Sequence, residues 1–295
     1  MIEPAPLVSV VMISYGHEKY IAEAIRGVLM QKTNFPVELI IANDCSPDNS
    51  DQVIRETIQS APENITVRYT RHEKNLGMMP NFIWALEQAK GKYIALCEGD
   101  DYWIAENKLQ MQVDFLKNNK DFAICCHNYK MLDGTSLKEK SFHDRLDIDE
   151  FDIVELSKKN LVPTLTAVFR KVDFQFKDWV KNSPVGDYPL FMQIAQYGKI
   201  KYFNKKMAVY RQNVGVWSSK NSLETNRKMI EMFDRLIEDF GKNLIVFKGL
   251  TQHQSTYIKE YLKHAPLNFR QLITHPLFNK ISLKNRITIA LKKLS

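Results

Sequence analysis

The sequence predicts an α/β protein, a mostly parallel central sheet flanked by helices and continued by a helical C-terminal extension. Three observations carry this expectation. In the first hundred residues, short apolar runs alternate with segments of helical period. Those apolar runs are nearly continuous, as strands buried on both faces require. From Ser222 onward helical patterns dominate, which places a soft boundary near residues 216–222. Strand–helix alternation at this spacing implies parallel strands joined by right-handed crossovers.

The elements follow in order. Leu7 to Ile13 is the first strand, and the polar turn Ser14-Tyr15-Gly16-His17 ends it. Tyr20, Ile21, Ala24, Ile25, Val28 and Leu29 then recur at helical spacing. Val37 to Ala42 is a strand, Asp48 to Ser60 a helix and Ile65 to Tyr69 a third strand. Pro80 to Ala89 is a helix with Phe82, Ile83 and Leu86 on one side, and Lys92 to Cys97 is the fourth strand. Leu109 to Asn118 reads as a helix and Phe122 to Met131 as a strand, and the polar stretch 133–150 as a mobile loop. Thr164 to Arg170 is expected to be extended, Tyr188 to Gln196 helical, and Ile200–Phe203 and Met207–Arg211 two short strands.

Composition bounds the function. A chain of 295 residues, 44% hydrophobic and 25% charged, can bury a core without disulfides. Its four cysteines form no CxxC pair, and Cys97, Cys125 and Cys126 lie in apolar runs, so buried free thiols in a reducing cytosol are expected. The N-terminus lacks the basic and apolar regions of a secretion signal, and no apolar stretch approaches the roughly 18–20 residues of a spanning helix. The expected location is therefore the cytoplasm, or the inner face of the membrane without crossing it. The net charge of +7 belongs to the tail: residues 1–219 hold 27 Lys and Arg against 28 Asp and Glu, and residues 220–295 hold 14 against 6.

Ligands of open α/β sheets bind beyond the carboxyl ends of the strands, and three acidic positions fall at or just past such ends. Asp44 follows the second strand, where it is placed to accept a hydrogen bond from a nucleobase; Ser46 or Asp48 beside it also suits a helix cap. Glu98-Gly99-Asp100-Asp101 follows the fourth. Three carboxylates in four residues repel unless a cation or solvent relieves them, and hard divalent ions such as Mg²⁺ or Mn²⁺ take oxygen ligands. A solvated acidic turn is the alternative. Asp187 precedes the apolar face of Leu190, Phe191 and Ile194, where a helix cap explains it as well as a catalytic role does. The histidines show no ligand-like spacing for zinc, and GxGxxG is absent after the first strand, which disfavours a dinucleotide fold.

Five pieces of the chain, in order, resemble the family 2 glycosyltransferases of the GT-A fold, across roughly residues 6–215. They are Val8 to Tyr15, Glu38 to Asp48, Asn75-Leu76-Gly77, Gly91 to Trp103 and Gly186-Asp187. The resemblance implies a catalytic domain over residues 1–215 and a basic helical extension over 216–295. It implies that Asp44 binds the uracil N3–H, that Ser14 and Tyr15 line the base, and that Asp100 is the main metal ligand. Glu98 stands at the first position of the family's DxD, near the ribose or metal, and Asp101 is assigned to the donor side. Asp187 stands as the base that activates the acceptor hydroxyl. Arg211, or Arg71 and Lys74 in the loop before Asn75, is a candidate contact for the diphosphate; the alternative is a surface-exposed cation, the favoured reading for Lys74. Asn43, Glu98 and Gly186 depart from the family's Asp, Asp and Glu, which puts donor identity in question more than catalysis.

The activity so implied is inverting, metal-assisted transfer of a sugar from a nucleotide donor, with a UDP-sugar expected, to a saccharide or lipid-linked acceptor in polysaccharide synthesis. The alternative is a non-catalytic nucleotide-sugar-binding subunit that partners an active transferase. In the tail, Leu283, Ile287, Ala290, Leu291 and Leu294 share one helical face beside Lys284, Arg286, Lys292 and Lys293. Such a helix either packs on the domain or lies on anionic lipid as a peripheral anchor. Nucleic acid is not an expected partner, because no reading motif accompanies the basic stretch.

Overall fold

The computed structural model describes residues 5–139, 141, 148–173, 175–214 and 223–294. The boundary expected near 216–222 lies outside the described residues.

The first half is a regular alternation: β1 (Val8–Ser14), α1 (Ile21–Leu29), β2 (Val37–Asn43), α2 (Ser50–Thr57), β3 (Ile65–Arg71), α3 (Met78–Glu87) and β4 (Tyr93–Leu96). Then come β5 (Tyr102–Trp103), α4 (Lys108–Asn118), β6 (Phe122–Asp133), β7 (Ser136–Lys138), β8 (Glu150–Phe151), α5 (Ile153–Lys158), β9 (Val168–Arg170), α6 (Asp187–Ile194) and β10 (Lys199–Gln212). The chain closes with α7 (Leu223–Phe240), α8 (Leu244–His264), α9 (Phe269–Thr274) and α10 (Leu283–Leu294).

Among the described residues the strands form one sheet, in the order β3-β2-β1-β4-β9-β6-β10-β5. β3, β2, β1 and β4 are parallel, as expected, with Val8 opposite both Val37 and Tyr93. β9 runs antiparallel between β4 and β6, which makes the sheet mixed. Successive residues of the central strands enter different apolar layers. Val11, Ile94 and Leu96 pack with α3, α6, α7 and α8, whereas Val10, Met12 and Ala95 pack with α1 and α4. Burial on both faces is why these strands read as continuous apolar runs.

Three local departures have physical causes. The two short strands expected in 200–211 are one long strand, β10, because register shifts against β6 between Phe203 and Val209 break its alternation. The strand expected from Thr164 starts only at Val168. Residues Thr164–Thr166 form a 3₁₀ turn, in which Thr166 Oγ1 donates to the Pro163 carbonyl at 2.8 Å. The stretch 133–150 is not all loop, since it carries β7 and the start of β8; residues 140 and 142–147 lie outside the described residues. The expectation for the cysteines holds: Cys97, Cys125 and Cys126 are buried free thiols, each with its pKa pushed up by burial.

The C-terminal helices divide into two groups. Met229, Met232, Phe233 and Leu236 of α7 and Val246 and Leu250 of α8 join the apolar layer beneath α3 and α6. A separate cluster, including Ile258, Leu262, Leu272, Phe278 and Ile289, ties α9 and α10 to the outer end of α8.

Candidate active site

The strand order reverses between β1 and β4, so the crevice at their carboxyl ends is the topological switch point where α/β sheets bind ligands. Ser14 ends β1 and the acidic run follows β4. The run stays laced to β1: the Cys97 amide donates to the Val11 carbonyl at 3.1 Å and the Gly99 amide to Ile13 at 3.0 Å. Gly99 is needed for closeness, because a Cβ there would lie 2.8 Å from His17 Nδ1 and 3.1 Å from the Ile13 carbonyl.

Glu98, Asp100 and Asp101 each offer a carboxylate oxygen, and these oxygens lie within 4.8 Å of one another. Burial, with the charges of Asp100 and Asp187 adding to it, pushes the Glu98 carboxyl up to about 8. Asp101, only 1% exposed, is raised well above the carboxylate range by burial and then by Asp100 and Glu98. Converging hard oxygen donors that resist sharing their charge suit a divalent cation, which would favour the ionised form of each.

Arg211 braces this run. Its backbone amide donates to Asp101 Oδ1 at 2.8 Å and its Nη1 to the Asp100 carbonyl at 2.6 Å. The guanidinium pairs with Glu23 and lies over the rings of Tyr20 and Tyr102, 5.0 and 4.6 Å from their centres.

Asp44 sits apart from the acidic run, at the end of β2. Its carboxylate accepts the amides of Leu76 at 2.6 Å and Gly77 at 3.0 Å, tying down the Asn75-Leu76-Gly77 loop and leaving further lone pairs for a ligand. The neighbouring departure from the family also has a reason. Tyr69 gives its one proton to Asp51 at 2.5 Å, so its other partner must donate; Asn43 Nδ2 does so at 3.0 Å, which an aspartate could not. Ser46, Ser50 and Asp48 accept the amides of Gly16, His17 and Glu18 and so fix the loop after β1. Within that loop Tyr15 is exposed, whereas the Ser14 hydroxyl and His17 Nδ1 are buried without a hydrogen-bond partner among the described residues.

Asp187 opens α6. Its Oδ1 accepts the Tyr188 amide at 2.7 Å, and its Oδ2 accepts the Thr164 hydroxyl at 2.8 Å with Asn160 Nδ2 at 3.5 Å. Burial raises its pKa, and the hydrogen bonds oppose that rise. Gly186 fits because a Cβ there would come 2.6 Å from Phe82 and 2.8 Å from Met79, so the family's Glu would need α3 to give way.

A cavity of about 390 Å³ is lined by Glu98, Asp101 and Asp187 together. Of the other expected site residues, Asp44, Ser14, Tyr15 and Arg211 are not part of its lining, and neither is Asp100. Sequence reasoning did not find Thr164 and Asn160, which hold Asp187, or His17, which closes on Gly99. Nor did it find Met229, His253 and Tyr257, which line the cavity from α7 and α8. For Thr164 the only signal was the Pro-Thr-x-Thr turn chemistry of 163–166, read instead as a strand.

The acidic cluster thus stands at the switch point of a mixed α/β sheet, where open sheets of this kind bind ligands. The chain belongs to glycosyl transferase family 2, whose family model matches residues 9–176, and its fold is GT-A. It is 34% identical over 212 residues to an uncharacterized protein of Mycobacterium tuberculosis, an alignment covering 72% of this chain and 60% of that one. The chain thus spans about 60% of the length of the first curated relatives it matches. A second relative is the UDP-Glc:α-D-GlcNAc-diphosphoundecaprenol β-1,3-glucosyltransferase WfgD of Escherichia coli, 36% identical over 135 residues, 45% of this chain and 50% of that protein. Among solved structures it is similar to Staphylococcus aureus TarS 1–349 in complex with UDP-GlcNAc, with a TM-score of 0.63, 17% identity and coverage of 96% and 90%. It also resembles the mannosyltransferase PcManGT of Pyrobaculum calidifontis in complex with GDP-Man and Mn²⁺, with a TM-score of 0.58, 14% identity and coverage of 99% and 86%.

Proposed function

We propose that the protein transfers a sugar from a nucleotide-diphosphate donor, a UDP-sugar, to a hydroxyl of a saccharide or lipid-linked saccharide, with inversion, in the synthesis of a surface polysaccharide. The observation that carries this reading is the meeting of Glu98, Asp101 and Asp187 on one cavity in a family 2 chain. Retention of both the acidic run and Asp187 favours an enzyme over a non-catalytic binding subunit.

In this reading the donor's base lies at Asp44, Ser14 and Tyr15, and its diphosphate at the carboxyl end of β4. Asp100, with Glu98, would hold a divalent ion, Mn²⁺ or Mg²⁺, which when bound supplies charge neutralisation to the departing diphosphate. Asp101 and Arg211 keep the run in place through their mutual hydrogen bond. Asp187 takes the proton of the attacking acceptor hydroxyl as general base, and its raised pKa makes it a better proton acceptor than an ordinary aspartate. Thr164 and Asn160 aim that carboxylate through Oδ2. The apolar cavity wall keeps water from competing with the acceptor.

The extension beyond residue 216 is given a second task, contact with a membrane surface from the cytoplasmic side. α10 exposes Leu283, Ile287 and Leu291 at four-residue spacing and turns Ile289 inward, and no acidic residue follows Glu260. Among the described residues no helix is long and apolar enough to cross a membrane.

The test is a hydrolysis screen with Mn²⁺ across UDP-, GDP- and dTDP-sugars. UDP release that disappears in Asp100→Ala supports the reading. Binding and turnover of no donor at all would point to the non-catalytic alternative.

A further inference from the structure

The cavity holding Asp187 has a wall that the catalytic motifs do not supply. Met229 of α7 and His253 and Tyr257 of α8 line it, opposite in chain order to the loops that carry the acidic run. Tyr210 and Tyr257 line the same cavity as Glu98, Asp101 and Asp187.

This wall is rigid. Tyr188, next to the base, packs edge-on against His253 with ring centres 5.3 Å apart, and its hydroxyl lies 3.3 Å from His253 Nδ1. Phe233 stacks at a tilt with Tyr257 at 5.6 Å, and His253 with Tyr257 at 5.8 Å. Burial, followed by the Asp187 charge, pushes the Tyr257 phenol up to about 12, so it stays a neutral donor and acceptor at physiological pH. No described residue hydrogen-bonds to its hydroxyl, although the tyrosine lines the cavity.

Resting on the glycosyl-transfer reading above, we propose that Tyr257, backed by His253 and Met229, forms the acceptor subsite and selects a pyranose. A pyranose presents a polar rim and an apolar face of C–H groups. The aromatic and thioether wall takes the face, and the free Tyr257 hydroxyl binds a rim oxygen while Asp187 receives the proton of the attacking hydroxyl. The volume of about 390 Å³ is near the small end of ligand sites, which fits one or two sugar rings and leaves the rest of the acceptor outside. The helical extension thereby chooses the acceptor, while the sheet binds the donor.

The test uses the full chain with methyl and octyl glycosides of glucose, galactose, mannose and N-acetylglucosamine, read by saturation-transfer NMR in the presence of UDP and Mn²⁺. UDP affinity is titrated on the same samples. The expected result is that at least one methyl glycoside binds the wild type and that Tyr257→Ala weakens it by about tenfold or more. Tyr257→Phe, which keeps the packing, weakens it by a smaller factor, and UDP affinity stays within about twofold in both variants. Unchanged glycoside affinity in Tyr257→Ala overturns the proposal. A parallel loss of UDP affinity overturns it too, because the wall would then belong to the donor. Binding by octyl but not methyl glycosides would reassign the wall to an alkyl chain. Failure of UDP to bind the wild type would instead strike the nucleotide-sugar reading, with the glycoside arm still deciding the role of Tyr257.

Discussion

At the acidic end Glu98 and Asp101 reach the cavity from one four-residue run after β4, with Asp100 of the same run outside the lining. At the Asp187 end, side chains gather from positions 160, 164, 187, 229, 253 and 257. The first end is a local device, in which strand register and an arginine brace hold like charges together at the site proposed for a cation. The second is a tertiary device, in which a 3₁₀ turn, a helix start and two late helices meet around one buried carboxylate. On the proposed roles, changes in the run after β4 should disturb donor binding, whereas changes in the wall made by α7 and α8 should leave it intact.

The variant expected to separate the ends most sharply is Asp187→Asn. It keeps the shape but removes the base, so kcat should fall by roughly 10²–10⁴-fold. UDP affinity should stay at the wild-type level, measured by calorimetry; a matching loss of UDP binding would merge the two ends into one site.

A smaller effect is expected at the α10 face proposed to meet lipid, away from both ends. Ile287→Ser with Leu291→Ser removes two exposed apolar side chains, each worth about 1.5–3 kcal/mol when buried in lipid. Co-sedimentation with anionic vesicles should drop at least about tenfold while donor hydrolysis is unchanged. Equal sedimentation of variant and wild type would remove the anchor.

Smallest at neutral pH is Thr164→Val. As the proposed base, Asp187 must be ionised for transfer, so the rate should rise with pH through a pKa above the usual aspartate value. Thr164 donates to the charged form, and its loss disfavours that form and moves the rising limb to higher pH. A hydrogen bond to a charged group is worth about 1.5–3 kcal/mol, so the limb should move by about one to two pH units. A pH profile identical to wild type would show that Thr164 does not tune Asp187.

How much of this was legible depended on the range of the interaction. β1 to β4 announced themselves because strands buried on both faces leave unbroken apolar runs, and Glu98 to Asp101 because repelling charges at a strand end need a reason. The β10 bulge was not legible, since it is fixed by pairing with β6 rather than by its own residues. Asp44 was expected to face a base, and its bonds to Leu76 and Gly77 across 32 and 33 residues were invisible in its own motif. Arg211 was expected as a phosphate contact; its place between Tyr20 and Tyr102 depends on β5 pairing with β10. The role proposed for Tyr257 left no sequence signal, because an aromatic at helical spacing reads as core until the fold brings it to the cavity that Asp187 lines.

If Asp100 and its neighbours hold a divalent ion that binds the donor's diphosphate, calorimetric titration of UDP into wild type and Asp100→Asn, with and without Mn²⁺, will separate the two proteins. Mn²⁺ should strengthen UDP binding by about tenfold or more in the wild type and have no effect in the variant. An equal Mn²⁺ enhancement in both proteins, or UDP binding indifferent to Mn²⁺ in the wild type, would rule out a metal role for Asp100.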